Sequence, residues 1–340
     1  MKALRFGLVG AGFWAKPQLA AWQEVRGAEC VAVCDLVRPK AEALARRFAV
    51  RSAYDDAEEM LRRESLDFVD VVAGVEAHAP LVKLAAARGL PVVCQKPMAT
   101  SLAEGEEMVE ACRKAGVPFL IHENLRWYHT IREVKAVIDG GTLGRVFRGR
   151  IDYCNAYPLF DNQPYLRSAP QLILADMGTH ILDIARFLFG EARDLACQLQ
   201  RVTPGIEGED VATVMMTMGA GTTVLCQLSY ATVAERDSYP EVLCFVEGEA
   251  GSVELAADYR IRVTTREGTR ARRLPPPPYP WVEPGEGIGQ TCIVPCHRHL
   301  LQALRGEAAC ETTGADNLKT LRLVFASYES ARRRQVVQTV

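Results

Sequence analysis

The 11 cysteines of this sequence include no C-x-x-C pair. Their odd number and wide spacing argue for reduced thiols and against a disulfide framework. No apolar run approaches the ~20 residues that a membrane-spanning helix needs. Charge of one sign is also missing: 40 Lys and Arg against 42 Asp and Glu leave a net charge of −2. That gives no electrostatic ground for nucleic acid or an anionic membrane as a partner. The opening MKALRFGLVGAGFWA lacks the apolar core of a signal peptide, because Arg5 interrupts it. It reads instead as a β-strand, and the expected compartment is the cytoplasm. There is no internal repeat. What remains is 340 residues, 49% hydrophobic and 24% charged, the make-up of a folded globular protein with room for two domains.

The first third alternates strand and helix. Strands are expected at Leu4–Val9, Glu29–Asp35, Phe68–Ala73, Pro91–Cys94 and Pro118–His122, with helices between them. The helix from Leu102 opens on a capping box, Ser101-x-x-Glu104. Such alternation predicts a parallel, doubly wound sheet over residues 1–123. After Asn124 the pattern changes. A helix near Met177–Phe189 is followed by strands at Asp194–Arg201, Val211–Met218, Thr222–Tyr230, Val242–Glu247, Ser252–Leu255 and Tyr259–Thr265. Two helices, His297–Arg305 and Ala315–Arg333, end the chain. Residues 124–340 therefore read as one α+β domain with a large, mostly antiparallel sheet. Its strands VATVMMTM and TTVLCQLSY are apolar enough to suggest that both faces are covered, which points to a homodimer or homotetramer joined through the sheet.

Gly10-Ala11-Gly12-Phe13-Trp14-Ala15 follows the first strand and opens the first helix. This is a G-x-G-x-x-A dinucleotide fingerprint. Gly10 permits the tight turn, and Gly12 lets the backbone approach a pyrophosphate seated on the helix N-terminus. Phe13 and Trp14 belong to the same loop. Asp35 ends the second strand, where a carboxylate accepts bonds from the adenosine ribose and repels a 2′-phosphate. NAD is thus expected over NADP, although Arg38 stands close enough in sequence to serve the latter.

Two further segments carry chemistry. Gln95-Lys96-Pro97 stands at the C-terminal end of a predicted strand, the edge at which open α/β sheets bind ligands. Asp176 and His180 sit four residues apart on a predicted helix and share a face; Asp183 is three residues further and could orient His180. Oxidation of a secondary alcohol needs a base near neutrality, which an imidazole supplies, and a donor to steady the developing alkoxide, which a lysine supplies. The two roles could be exchanged. No metal is required.

Over nearly its whole length the chain resembles the Gfo/Idh/MocA family of oxidoreductases. The resemblance runs through LRFGLVGAGFWA, FVDVVAGVEAHAPLVKLAAARGLPVVCQKPMATSLAEGEEMV, NLRWYHTIREVKAVIDGGTLGRV, ILADMGTHILDIARFLFG and GADNLKTLRLVFASYESARR. It implies that Lys96 answers the lysine of the family's E-K-P motif and that Asp176 and His180 answer its D-x-x-x-H pair. It also implies that His78, Gln95 and Asn124 line the cofactor site, that Arg126 meets substrate, and that the Lys96–Pro97 bond is cis. Two departures stand out. The Glu before the lysine is Gln95, and the stretch before Asp176 reads Pro170-Gln171-Leu172-Ile173.

The polar aromatic loop carrying Tyr157, Asn162, Tyr165 and Arg167 precedes Asp176 and suits a sugar- or polyol-like substrate. The alternatives are a glycosidase- or lyase-type enzyme using transient oxidation, and a nucleotide-sensing regulator without turnover. Cys292-x-x-x-Cys296-His297-x-His299 looks superficially like a zinc site but lacks a second cysteine pair. The arginines of 260–273 read as a solvated hairpin.

Overall fold

The computed structural model describes residues 2–339, the side chain of Asn162 excepted. It divides into two units, 1–124 with 279–282 and 290–321, and 125–278 with 283–289 and 322–340.

The first unit is built on strands β1 (Leu4–Val9), β2 (Ala28–Cys34), β3 (Ser52–Tyr54), β4 (Phe68–Val71), β5 (Val92–Gln95) and β6 (Phe119–His122), in the order β3-β2-β1-β4-β5-β6. Every pairing among them is parallel, the order of a dinucleotide-binding fold. Helices α1 (Ala15–Gln23), α2 (Arg38–Phe48), α3 (Ala57–Arg63), α4 (His78–Ala87) and α5 (Leu102–Ala115) make the crossovers. The central strands are buried on both faces, with Phe6, Leu8, Phe68 and Val92 wholly inside. At the start of α5, Ser101 Oγ accepts the Glu104 N–H at 3.2 Å. Glu104 reaches back to Thr100 N and Oγ1, at 2.8 and 2.6 Å.

The second unit holds α6 (His129–Asp139), β7 (Val146–Cys154), α7 (Leu159–Asn162), α8 (Thr179–Phe189), β8 (Ala192–Gln200), β9 (Val211–Met218), β10 (Thr223–Ser229), β11 (Leu243–Gly248), β12 (Gly251–Ala256), β13 (Arg260–Thr265), β14 (Gly268–Arg273) and β15 (Val337–Gln338). Its sheet runs β14-β13-β12-β11-β7-β10-β9-β8-β15. The β7–β10 pairing is parallel and the others are antiparallel. Helix α8 packs closely on β7: a Cβ at Gly149 would stand 2.4 Å from the Phe189 ring.

Only one face of this sheet is covered within the chain. Along β9, Ala212, Val214, Met216 and Met218 are wholly buried, while Met215 on the opposite face is 51% exposed. The face expected to meet a second subunit is open within the chain, and along β9 it presents Val211 and Met215 between Thr213 and Thr217. A groove of about 1380 Å³ on the open face is lined by Thr213, Met215, Leu225 and Val336. The edge strand β14 is exposed throughout. Its arginines are set against carboxylates, Arg273 against Asp258 and Arg272 against Glu133.

A single boundary was expected at 123/124; the two units first divide at 124/125, and the chain returns to the first unit at 279–282 and 290–321. Helices α9 (Gly287–Thr291), α10 (Ile293–Leu304) and α11 (Gly314–Arg333) follow, and α10 belongs to the first unit. Its stripe of Ile293, Val294, His297, Leu300 and Leu301 is buried. His297 stacks on Trp22 of α1 at 3.8 Å. Ile121 N–H donates to Thr312 O at 2.7 Å, and the Thr312 hydroxyl donates back to Ile121 O at 2.8 Å. Both bonds cap the edge strand β6.

Candidate active site

In the first unit, the loop after β1 is shaped for a close-lying ligand. Gly10 has φ +106°, and a Cβ there would meet Ala73 N at 2.5 Å. Glycine is required. At Gly12 nothing lies within 4 Å of a Cβ position, so the backbone faces open space at the N-terminus of α1. Asp35 fixes the loop from the end of β2. One of its oxygens accepts Ala11 N–H at 2.7 Å and the other accepts Val37 N–H at 2.9 Å. Phe13 is 56% exposed. The Trp14 indole N–H is buried without a partner among the described residues. This open cradle with a carboxylate at its rim and a spare donor fits a dinucleotide. Arg38 is held by Glu42 at 3.1 Å and Asp55 at 3.7 Å, which leaves the rim acidic.

Lys96 follows β5 and is half-buried. Its backbone N–H donates to Gln95 Oε1 at 3.2 Å, and the Lys96–Pro97 bond is cis, as the resemblance implies. Three residues expected at the cofactor have partners within the first unit. Gln95 is buried and bonded to Gln18 and His122. His78 is buried between carbonyls, Nδ1 at 3.1 Å from Pro97 O and Nε2 at 3.0 Å from Ala73 O. Burial lowers its pKa while the carbonyls beside the ring pull the other way, and the ring bridges the turn after β4 and the turn after β5. Asn124 is buried and donates to Cys292 Sγ at 3.2 Å. Of the other zinc-like residues, His299 Nε2 accepts Glu311 N–H, and burial drives His297 well below the ordinary histidine range.

In the second unit, Asp176 sits in a π-helical turn, Leu174–Gly178, that runs into α8. Such turns bulge a helix and are frequent at functional sites. Glu209 Oε1 anchors the segment ahead of it, accepting Leu172 and Leu174 N–H at 3.2 and 3.1 Å. Asp176 Oδ2 accepts the Tyr230 hydroxyl at 2.8 Å. Burial and the Asp176 charge hold that phenol well above its usual pKa, so Tyr230 is the donor. His180, in the first turn of α8, is buried.

Asp183 is engaged by a different residue from the one expected. Both of its oxygens accept from Arg126, at 2.6 and 2.8 Å, with side-chain exposures of 0% and 7%. Arg126, for which a substrate contact was expected, makes this buried pair through Nε and one terminal nitrogen. The aromatic loop divides. Tyr157 stacks on Tyr239 at 4.1 Å, and the Tyr239 hydroxyl donates to Glu286 at 3.0 Å. Tyr165 is 68% exposed and bonded to Gln163, and Arg167 lies over the Phe160 ring. Both side chains are exposed. The Asn162 side chain is outside the described set. Sequence reasoning missed Tyr230, Tyr239 and Glu286. A tyrosine ending an apolar strand, as Tyr230 does, was the one available signal.

Two family models match the chain: an oxidoreductase family with an NAD-binding Rossmann fold over residues 4–123, and a GFO/IDH/MocA C-terminal domain over 131–254. The chain is 42% identical to a D-apiose dehydrogenase of Paraburkholderia graminis, across 99% of this chain and 90% of that one. It is 37% identical to a D-apiose dehydrogenase of Rhizobium rhizogenes, across 99% and 98%. Among solved structures, an oxidoreductase from Agrobacterium radiobacter in complex with NAD+, L-tartaric acid and magnesium superposes with a TM-score of 0.97 at 36% identity, covering 99% of both chains. A levoglucosan dehydrogenase in complex with NADH shares the fold, with a TM-score of 0.87 at 20% identity.

Proposed function

The chain belongs to the GFO/IDH/MocA oxidoreductase family, and from that membership we propose that it is an NAD-dependent dehydrogenase of D-apiose or a closely similar sugar. The observation that carries the reading is the presence, in one chain so like the D-apiose dehydrogenases, of an open Gly12 cradle and of an Asp176–Tyr230 pair beside a buried histidine. When bound, NAD supplies the hydride acceptor. Gly10 and Gly12 admit its pyrophosphate, and Asp35 receives the ribose and repels a 2′-phosphate.

The chain's own share of the chemistry is proton removal and charge control. His180 takes the proton of the reacting hydroxyl. The Lys96 ammonium donates to the same oxygen and steadies its developing charge. Asp176, already ordered by Tyr230, accepts from a neighbouring sugar hydroxyl and fixes the ring. None of the 11 cysteines forms a disulfide, which supports a cytoplasmic protein, and the open face of the β8–β10 region supports a homodimer or homotetramer. No described helix is long and apolar enough to cross a membrane.

The test is NADH formation from a panel of D-apiose, other pentoses, inositols and anhydrosugars. D-Apiose should lead the panel by about tenfold or more in kcat/KM. Lys96→Met and His180→Ala should each lower turnover by roughly 10²-fold. Sugar conversion without net NADH would favour elimination or hydrolysis through transient oxidation. No conversion of any sugar would end the dehydrogenase reading.

A further inference from the structure

A line of buried polar side chains in the first unit takes no part in the mechanism above. Asp70 stands in the middle strand β4, with no exposed surface. It accepts from Trp22 Nε1 at 2.7 Å and from Gln18 Nε2 at 3.0 and 3.2 Å. Gln18 Oε1 accepts from Gln95 Nε2 at 3.0 Å. The same Gln95 nitrogen lies 2.8 Å from His122 Nδ1. Gln95 Oε1 accepts the backbone N–H of Lys96 at 3.2 Å. Gln18 and His122 are wholly buried, and Gln95 is 5% exposed.

The polarity of this line follows from one end. A carboxylate can only accept. Asp70 therefore turns the Gln18 NH2 group towards itself, and the Gln18 oxygen is left facing Gln95. That oxygen draws the Gln95 NH2 group, whose second hydrogen goes to His122 Nδ1. His122 then carries its own proton on Nε2, and the Gln95 oxygen is free to hold Lys96 N–H. Turning either amide over would bring two oxygens together among buried groups, an arrangement that leaves a bond unmade.

We propose that Asp70 is a positioning residue for Lys96: its charge, passed through Gln18, sets the direction of the Gln95 amide and so holds the backbone from which the lysine reaches. This rests on the role given to Lys96 above. It implies a rule of one carboxylate in the line, at position 70 or at position 95 but not at both. A glutamate at 95, as in the E-K-P motif, is then harmful in this chain, because it would present an oxygen to the Gln18 oxygen. Burial raises the Asp70 pKa to about 6 against the pull of Gln18 and Trp22, which leaves it ionised at neutral pH. The other titratable groups near the line are quiet: burial pushes the Cys30 and Cys94 thiols up and holds His297 well down.

The test compares Gln95→Glu, Asp70→Asn and the double exchange in the full-length protein. Kinetics against pH, NAD affinity by tryptophan fluorescence and 15N-histidine NMR supply the readouts. Gln95→Glu should lose about tenfold or more in kcat, most at high pH and least at low pH, where the introduced carboxyl is protonated and can donate one of the two bonds that the amide makes. NAD affinity should move less than about threefold. Asp70→Asn should also lower kcat. The double exchange, which reverses the bonds joining positions 70, 18, 95 and 122 around one charge while Trp22 and Lys96 N–H still donate, should recover most of the loss. A double variant no better than the worse single, or Gln95→Glu equal to wild type across pH, overturns the proposal. If the variants fail to fold, wild-type NMR decides: His122 must be unprotonated at Nδ1, and a proton there refutes the polarity. Should wild type form no NADH from any sugar, the role of Lys96 falls, whereas the histidine signal still tests the line itself.

Discussion

Replacing Asp183 by leucine should destabilise the second unit severely, and the structure says by how much. Asp183 is wholly buried and bonds both nitrogens of the Arg126 fork, at 2.6 and 2.8 Å. Arg186 lies 3.7 Å away on the same helix. Arg186 keeps Glu191, at 2.8 and 2.9 Å, so the loss falls on Arg126. Stripping one partner from a buried ion pair costs about 3–5 kcal/mol, because the remaining charge cannot reach water. The Phe187 ring, 5.5 Å from the guanidinium, offsets part of this, by about 1 kcal/mol. The reverse change, Arg126→Met, should cost less, about 2 kcal/mol, since Asp183 retains Arg186. The double change to leucine and methionine should be milder than Asp183→Leu alone, because no charge is left behind. In a body of this size each kcal/mol moves Tm by about 2–4 °C, so Asp183→Leu should lower it by roughly 10 °C. Circular dichroism melts and urea titrations measure all three. A single-variant cost under about 1 kcal/mol, or strict additivity in the double, would refute the buried-pair account. A rise of about tenfold in sugar KM for Arg126→Met at unchanged Tm would return Arg126 to the substrate.

Stability should also depend on Asp70. Its carboxyl is held near pKa 6 when folded against an ordinary 3.8, so it binds its proton more tightly folded than unfolded. That contribution is fully present below about pH 4 and is lost by about pH 6, a fall of roughly 3 kcal/mol. Asp70→Asn should flatten this part of a stability-against-pH curve measured by guanidinium unfolding, and an unchanged slope would count against it. Tyr230→Phe removes the hydroxyl that orders Asp176 and should lower kcat/KM about tenfold without changing NAD affinity; equal kinetics would show that Asp176 needs no such support. NAD should bind more tightly than NADP by about tenfold or more, and Asp35→Ser should erase most of the difference. A preference for NADP in a fluorescence titration would mean that Arg38 leaves Glu42 and Asp55 to meet the phosphate.

The first unit was legible because each of its longer strands is an apolar run stopped by a residue with a job, Gly10 after β1 and Asp35 after β2. Strand β3 was missed: three half-buried residues, Ser52–Tyr54, give no period to count. The nucleotide loop was readable for a related reason, since glycine spacing there is dictated by sterics that the structure bears out at Gly10. Side-chain destinations were not readable. Residue type makes His78, Asn124 and Arg126 all plausible ligands for something, but only packing shows that carbonyls, a cysteine sulfur and Asp183 take them up. Tyr239 meets Tyr157 from more than eighty positions away, and Glu286 joins through Tyr239, beyond the reach of any local pattern.

The caps on β6 carry a consequence for how the chain is made. Ile121 must pair with Thr312, and Trp22 must wait for His297, so the parallel sheet is finished by residues roughly 190 positions downstream of its own last strand. At ribosomal rates that delay is about 10–40 s. Throughout it, a nascent chain presents an open strand edge, the kind of surface that pairs with a neighbour or engages a chaperone. In chain order residues 125–278 of the second unit stand between segments of the first, and a gene fragment ending at residue 124 should yield a protein that aggregates rather than a free-standing nucleotide-binding domain.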